Sequence, residues 1–259
     1  MIKVMVGGAN GKMGSQVCKS IMMEDNLELV AAVDINGVGN LIDDIEIKDA
    51  SNIKDIFKYL RPDVYVDFTS PDATIRNIKI AIEKGVKNLV IGTTGFSKEQ
   101  EEEIANLVTG KVTAVISPNF SIGVNVFWRI IEEAAKYLNG YDFEIVEIHH
   151  RYKKDSPSGT ANKIYNILCN VTGKKVPKYG REGFSERGEE IGIHSVRLGD
   201  VVGDHTVFFG GDGERLEVTH RAHSREAFAS GVIRSINWLF ETKRDEKIYS
   251  MTDVLGFFR

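Results

Sequence analysis

The sequence predicts an α/β fold: a Rossmann-like, doubly wound parallel sheet followed by a second, smaller α+β domain on a largely antiparallel or mixed sheet. Three observations carry this. Over the first 120 residues short apolar runs alternate with helical stripes, the pattern of repeated β-α units around a parallel sheet covered on both faces. From residue 191 three strand-like runs follow one another with only turn residues between them. The length, 259 residues, suits one large or two modest domains.

Each element has its own signal. Ile2 to Val6 is a short apolar run that leads into Gly7-Gly8-Ala9-Asn10-Gly11-Lys12-Met13-Gly14. Met13, Val17 and Ile21 then recur every four residues, with Cys18 and Met22 beside them, which makes one apolar helix face. Leu27 to Val33 reads as a buried strand ending at Asp34, and Val64, Val66 and Phe68 alternate in a third strand. Ser70-Pro71 opens a helix, serine to cap the free amides and proline at the first helical position. Ile75, Ile78 and Ile82 form its stripe, and Gly85 stops it. Leu89 to Ile91 is strand again. Ser97-Lys98-Glu99-Gln100 has capping-box spacing and starts a helix that closes near Gly110, before a strand over Val112 to Ile116.

The pattern changes after residue 120. A long helix is expected over Gly123 to Leu138. A strand carries Phe143, Ile145 and Ile148, then come a polar loop and a helix from Gly159. Ile191–Leu198, His205–Phe209 and Arg215–Thr219 are expected to form an antiparallel arrangement, with turn chemistry at Gly199-Asp200 and Gly211-Asp212-Gly213. A last helix near Ala227–Phe240 is expected to return to the first domain. The boundaries predicted are therefore 1–120 with 231–259 packed back on it, and 121–230.

Composition removes several function classes. Hydrophobic residues are 42% and charged residues 27%, ordinary for a folded soluble chain. A net charge of -4 excludes a globally basic nucleic-acid binder. No apolar run approaches 18 residues and the N-terminus lacks a signal-peptide layout, so no membrane partner is expected and the cytoplasm is the expected location. Cys18 and Cys169 stand far apart in helix-like stretches, as free thiols in a reducing compartment do. With neither H-E-x-x-H nor a cysteine pair, no metal is expected.

Three segments carry chemistry. Gly8-x-x-Gly11-x-x-Gly14 follows a strand and opens a helix, and Asp34 stands 20 residues past Gly14 at the end of the second strand. Glycines let a pyrophosphate approach the amides of the helix N-terminus, and the acid accepts from the adenosine ribose hydroxyls. Gly92-Thr93-Thr94-Gly95 and Ser117-Pro118-Asn119-Phe120 follow the fourth and fifth strands, where open parallel sheets bind ligands. The run Glu147-Ile148-His149-His150-Arg151-Tyr152-Lys153-Lys154-Asp155-Ser156-Pro157-Ser158-Gly159-Thr160-Ala161 ends a strand in two histidines and leads through a basic loop to a helix start. Helix N-terminal amides with an ammonium nearby suit a carboxylate or phosphate, and a histidine can move protons there.

These motifs resemble the 4-hydroxy-tetrahydrodipicolinate (dihydrodipicolinate) reductase family over nearly the whole chain. The resemblance extends to Asp67-Phe68-Thr69, Asn119-Phe120-Ser121-Ile122-Gly123-Val124-Asn125, Arg181-Glu182-Gly183, Gly199-Asp200-Val201-Val202-Gly203-Asp204-His205-Thr206 and Thr219-His220-Arg221-Ala222. It implies an oxidoreductase of diaminopimelate and lysine biosynthesis that reduces a small cyclic dicarboxylate imine with NADH or NADPH. By the resemblance, His149 is the proton donor and Lys153 a second one. His150, Ser158, Gly159, Thr160 and Arg225 bind substrate. Gly8, Ala9, Asn10, Gly11, Lys12, Met13, Asp34, Gly92, Thr93, Thr94, Ser117, Pro118, Asn119 and Phe120 line the cofactor. It also implies a homotetramer joined through the second domains, which bind substrate and carry the oligomer contacts. Ile35-Asn36 after Asp34 and Lys12 after the second loop glycine stand where many members carry arginine, and Ser70 where the residue is often basic, departures that bear on cofactor preference rather than on the reaction. A nucleotide sensor on the same fold, or an amino-acid dehydrogenase acting on another imine, are the competing readings.

Overall fold

The computed structural model describes residues 1–173 and 176–257. Two compact units form, one from Met1–Ile122 together with the chain from Glu226 onward, the other from Gly123–Arg225. The last two residues of the predicted 231–259 segment lie outside the described residues.

The first unit opens with β1 (Ile2–Gly7), α1 (Lys12–Met22) and β2 (Leu27–Asp34). Next come β3 (Leu41–Ile42), β4 (Ile45–Asp49), α2 (Ile53–Leu60), β5 (Val64–Asp67), α3 (Pro71–Glu83), β6 (Asn88–Ile91), α4 (Lys98–Val108) and β7 (Thr113–Ile116). β3, β4 and α2 were not anticipated; a two-residue strand and an eight-residue helix are too short to show a period. α4 has its capping box, Ser97 with Gln100. Ser70 holds the N-cap position of α3 but its side chain makes no cap bond. That end is held instead by Pro71 in the first turn and by Thr74, whose hydroxyl donates to Asp67 at 2.8 Å.

The second unit begins on α5 (Ile122–Tyr137) and continues through β8 (Asp142–His149), α6 (Gly159–Thr172), β9 (Pro177–Tyr179), β10 (Ile191–Arg197), β11 (Gly203–Gly211) and β12 (Glu214–Ala222). α7 (Glu226–Glu241), β13 (Ile248–Tyr249) and α8 (Met251–Val254) belong to the first unit.

The large sheet runs β13-β7-β6-β5-β1-β2-β4-β3. All its pairings are parallel except β3 with β4. Chain order reverses around β1, so the carboxyl ends of β1, β2, β5, β6 and β7 open on the crevice where such sheets bind ligands. One apolar cluster, with Val17, Ile21, Val232 and Ile236, packs α1 and α7 on the sheet; another, with Phe57, Ile78 and Ile104, packs the other helices. Gly231 makes the α7 contact possible: a Cβ there would fall on the carbonyl oxygen of Phe120.

The smaller sheet runs β12-β11-β8-β10-β9. The three late runs are therefore not a meander. β8 separates β10 from β11, and β10 pairs parallel with both β8 and β9. Only β11 is antiparallel to its two neighbours. The reason is α6, which returns the chain between β8 and the parallel strands, as a helical crossover must. Phe143, Ile145, Glu147 and His149 share the β8 face that is buried with the α5–α6 core, and Ile148 lies on the opposite face.

Candidate active site

In the first unit the glycine loop is shaped for a close approach. Gly8 has φ +77°, and a Cβ on it would meet the Phe68 carbonyl; a Cβ on Gly14 would meet the carbonyl of Gly8. The N-cap of α1 is Gly11, so no side chain caps its first amides. An anion at a helix N-terminus takes this position. Asp34 stands beside the loop, with Oδ2 accepting from the Asn10 amide and Oδ1 from the Asn36 amide, both at 2.9 Å. A cavity of about 390 Å³ lies there, lined by Ala9, Asn10, Ser15, Asn40 and neighbours on β3 and β4. These residues fit a dinucleotide: a phosphate cradle, a fixed acid at the end of the neighbouring strand, and space beside both.

Asp67, fully buried at the end of β5, holds the next loop. Its carboxylate accepts from the hydroxyls of Tyr65 (2.6 Å), Thr69 (2.6 Å), Thr74 (2.8 Å) and Thr93 (3.0 Å). Thr93 thereby fixes the Gly92–Thr94 turn. Burial, then the Asp67 charge, pushes the Tyr65 phenol well above its ordinary value. Ser117 bonds the backbone of Asn119 in both directions, donating to its carbonyl at 2.7 Å and accepting from its amide at 3.2 Å. Phe120 is in the core, its ring 6.2 Å from that of Phe68.

In the second unit the histidine that ends β8 stands in a charged cluster. His149 Nδ1 is hydrogen-bonded to Glu147 Oε2. Glu147 is completely buried, and its Oε1 accepts from Arg197 at 3.0 Å and from the Ser158 amide at 3.2 Å. Burial pushes the Glu147 carboxyl up, but hydrogen bonds from His149, Ser195 and Arg197 outweigh it and hold it at about 2. His205 faces Glu147 across the β8–β11 pair. Its ring meets that of His149 edge-on at 5.1 Å, and its Nε2 is 3.2 Å from Ser158 Oγ. Burial, helped by the neighbouring His149 charge and opposed by Glu147, pushes His205 down to about 3, so it is neutral at neutral pH. A Cβ on Gly203 would come within 3.0 Å of His149 Nε2; the glycine keeps that nitrogen uncrowded.

Of the other predicted residues, Ser158 and the loop that carries Lys153 are tied to this cluster. Ser158 caps α6 by accepting from the Ala161 amide at 3.2 Å, which places Gly159 and Thr160 in the first helical turn. Arg197 donates to the Asp155 carbonyl at 2.6 Å and the Lys153 carbonyl at 3.3 Å, so it ties the basic loop to the sheet. Lys153 Nζ has a counter-ion, Asp155, at 2.9 Å. His150 lies just past the strand, its ring 6.4 Å from Tyr152. Arg225 is the last residue of this unit, and among the described residues no hydrogen bond or ion pair joins it to the cluster. Glu147, Arg197 and His205 were not among the predicted site residues. Glu147 was legible, two residues before His149 on one strand face; the other two needed the strand register. The donor atoms of Glu147, His149 and His205 lie within 4.8 Å of one another, close enough for a cation. Glu147 is already engaged by Arg197.

Comparison with known proteins gives a consistent picture. Residues 2–120 match the family model described as dihydrodipicolinate reductase, N-terminus, and residues 123–255 the one described as its C-terminus. The chain is 48% identical to the 4-hydroxy-tetrahydrodipicolinate reductase of Methanosarcina barkeri, over 99% of this chain and 100% of that one. It is 48% identical to the enzyme of the same name from Methanoculleus marisnigri, with the same coverage. Among solved structures it is similar to a dipicolinate-bound dihydrodipicolinate reductase from Paenisporosarcina sp. TG-14. The TM-score is 0.79 and the identity 31%, with 98% of each chain covered.

Proposed function

The chain belongs to the dihydrodipicolinate reductase family, and on that premise we propose how its residues divide the work of reducing 4-hydroxy-tetrahydrodipicolinate to tetrahydrodipicolinate. It is a pyridine-nucleotide-dependent oxidoreductase of diaminopimelate and lysine biosynthesis. The observation that carries the assignment of roles is the Glu147–His149 pair standing beside the Ser158-capped N-terminus of α6.

The glycine loop from Gly8 to Met13, Asp34, Gly92 to Thr94 and Ser117 to Phe120 hold the dinucleotide. When bound, the nicotinamide supplies the hydride. The substrate is a dianion and the chain carries -4 overall, so local positive potential must receive it. The amides of Gly159 and Thr160 at the α6 N-terminus supply it, with His150 and Arg225 as further substrate contacts. Once the 4-hydroxyl has left as water to give the conjugated dihydro imine, His149 delivers a proton to the ring carbon next to the one reduced. Lys153, on the loop that Arg197 anchors, assists at the ring nitrogen once it is released from Asp155. Oxidation of the nicotinamide, followed by absorbance with substrate made in place by the upstream synthase, tests the reading. Oxidation that does not depend on the synthase product would overturn it.

Cofactor preference follows from Asp34. Each oxygen already accepts one backbone amide, which aims the carboxylate at the ribose position. There it accepts from a free 2′-hydroxyl and repels a 2′-phosphate. Ile35 and Asn36 offer no guanidinium, and Lys12 is a flexible point charge, weaker toward phosphate than an arginine fork. NADH is therefore used at least as well as NADPH. A preference of about 10- to 100-fold corresponds to about 1.4–2.8 kcal/mol, the size of one like-charge contact partly offset by one lysine. The measurement is kcat/KM for both cofactors in wild type, Asp34→Ala and Lys12→Ala. A tenfold wild-type preference for NADPH, or an Asp34→Ala ratio equal to wild type, contradicts it.

Assembly is the remaining point. α5 and α6 pack on one face of the smaller sheet. Its other face carries Val146, Ile148, Val196 and Phe208, all at least partly exposed. We propose that this face, where Glu144, His194, Asp204 and Thr206 stand among these apolar residues, is covered in a homotetramer, since apolar residues grouped on an open sheet face are uncommon on a monomer. Light scattering at micromolar concentration should give four times the chain mass of 28.9 kDa; a monomer would dismiss the proposal and leave the catalytic roles untouched.

A further inference from the structure

We propose that Glu147 is the positioning residue of the proton donor: its carboxylate accepts the Nδ1 proton of His149, orients the ring, and leaves Nε2 as the nitrogen that exchanges the proton with substrate. This rests on the reading of His149 as donor and adds to it a buried group outside the predicted site.

The carboxylate is held so that only one oxygen is free for the ring. Arg197 and the Ser158 amide both donate to Oε1, and His149 Nδ1 meets Oε2. Because β8 alternates its side chains, residues 147 and 149 share a face and cannot turn away from each other. The remaining ring nitrogen, Nε2, sits beside the one position, Gly203, where a side chain would crowd it at 3.0 Å. One nitrogen is thus committed and the other is kept open.

The charges around the ring favour the same assignment. Glu147 on β8 is anionic, with Arg197 on β10 balancing it across the sheet. His205 on β11 is neutral at neutral pH and adds no positive charge. Lys153 in the loop is paired with Asp155, and Ser158 at the α6 cap is uncharged. A buried carboxylate on Nδ1 stabilises the imidazolium before the transfer and keeps Nδ1–H in place after it, the role an orienting acid plays behind a catalytic histidine. The balance is simple: the proton leaves Nε2 for the substrate carbon, the imidazole becomes neutral with Nδ1–H still on Glu147, and solvent returns the proton.

Glu147→Gln removes the charge and keeps the volume. The expected loss in kcat is about 10- to 100-fold, part of what a general acid contributes. Glu147→Asp, which keeps the charge, should lose less than Glu147→Gln. The double variant His149→Gln/Glu147→Gln should be no slower than His149→Gln alone. A readout without turnover is ¹⁵N-histidine NMR of the free enzyme at high pH, which should find neutral His149 protonated on Nδ1. An Nε2–H tautomer in wild type overturns the proposal even if no variant folds. So does a Glu147→Gln variant with wild-type kcat, or a double variant with multiplied losses. An active His149→Gln variant instead defeats the donor reading itself, which separates the two failures.

Discussion

His149→Gln should lower kcat by about 10²–10⁴-fold with a smaller effect on KM, the loss that follows removal of a positioned acid. Glutamine keeps a polar group at the end of β8 and cannot carry a proton between substrate and solvent. His149 is almost entirely buried, its ring bonded to Glu147 and edge-on to His205, so the variant must also be shown to fold. Circular dichroism and NADH binding serve for that, the latter because the residues proposed to hold the dinucleotide lie in the other unit. A folded variant with near-normal kcat at neutral pH removes His149 from the mechanism. The remaining rate in a true loss should be nearly flat across the pH range where wild type changes.

Thr160→Val should leave the fold intact and raise the substrate KM. Thr160 is in the first turn of α6, half-buried, directly after the Ser158 cap and Gly159. On the proposed reading its hydroxyl joins the helix amides in meeting a substrate carboxylate. One hydrogen bond to a charged group contributes about 1.5–3 kcal/mol, or about 10- to 150-fold in affinity. Valine matches the shape and removes only the hydroxyl. Binding of NADH, measured by fluorescence, should barely change. A variant whose dinucleotide affinity falls while substrate KM holds would mean that this helix serves the other ligand.

The glycine loop, Asp34 and the capping box of α4 could all be read directly, because each is local: it needs only a few consecutive residues and their φ, ψ or charge. The parallel order of the large sheet followed from repeated β-α units for the same reason. β3, β4 and α2 escaped because short elements carry too little periodicity. Ser70 was read as a cap, and its helix start is instead held by Pro71 and the Thr74–Asp67 bond, a contact that sequence spacing does not announce.

By itself the sequence determined the two kinds of sheet, the histidine-to-threonine run and the family to which the chain belongs. Tertiary structure decided that β8 separates β10 from β11, and this one insertion set His205 opposite Glu147 and Arg197 within reach of it. Strand register is chosen by the packing of a whole face, over residues 48 to 68 apart in the chain. No local pattern encodes it, so Arg197 and His205, unlike Glu147 two residues before His149, came into view only when the strands were laid side by side.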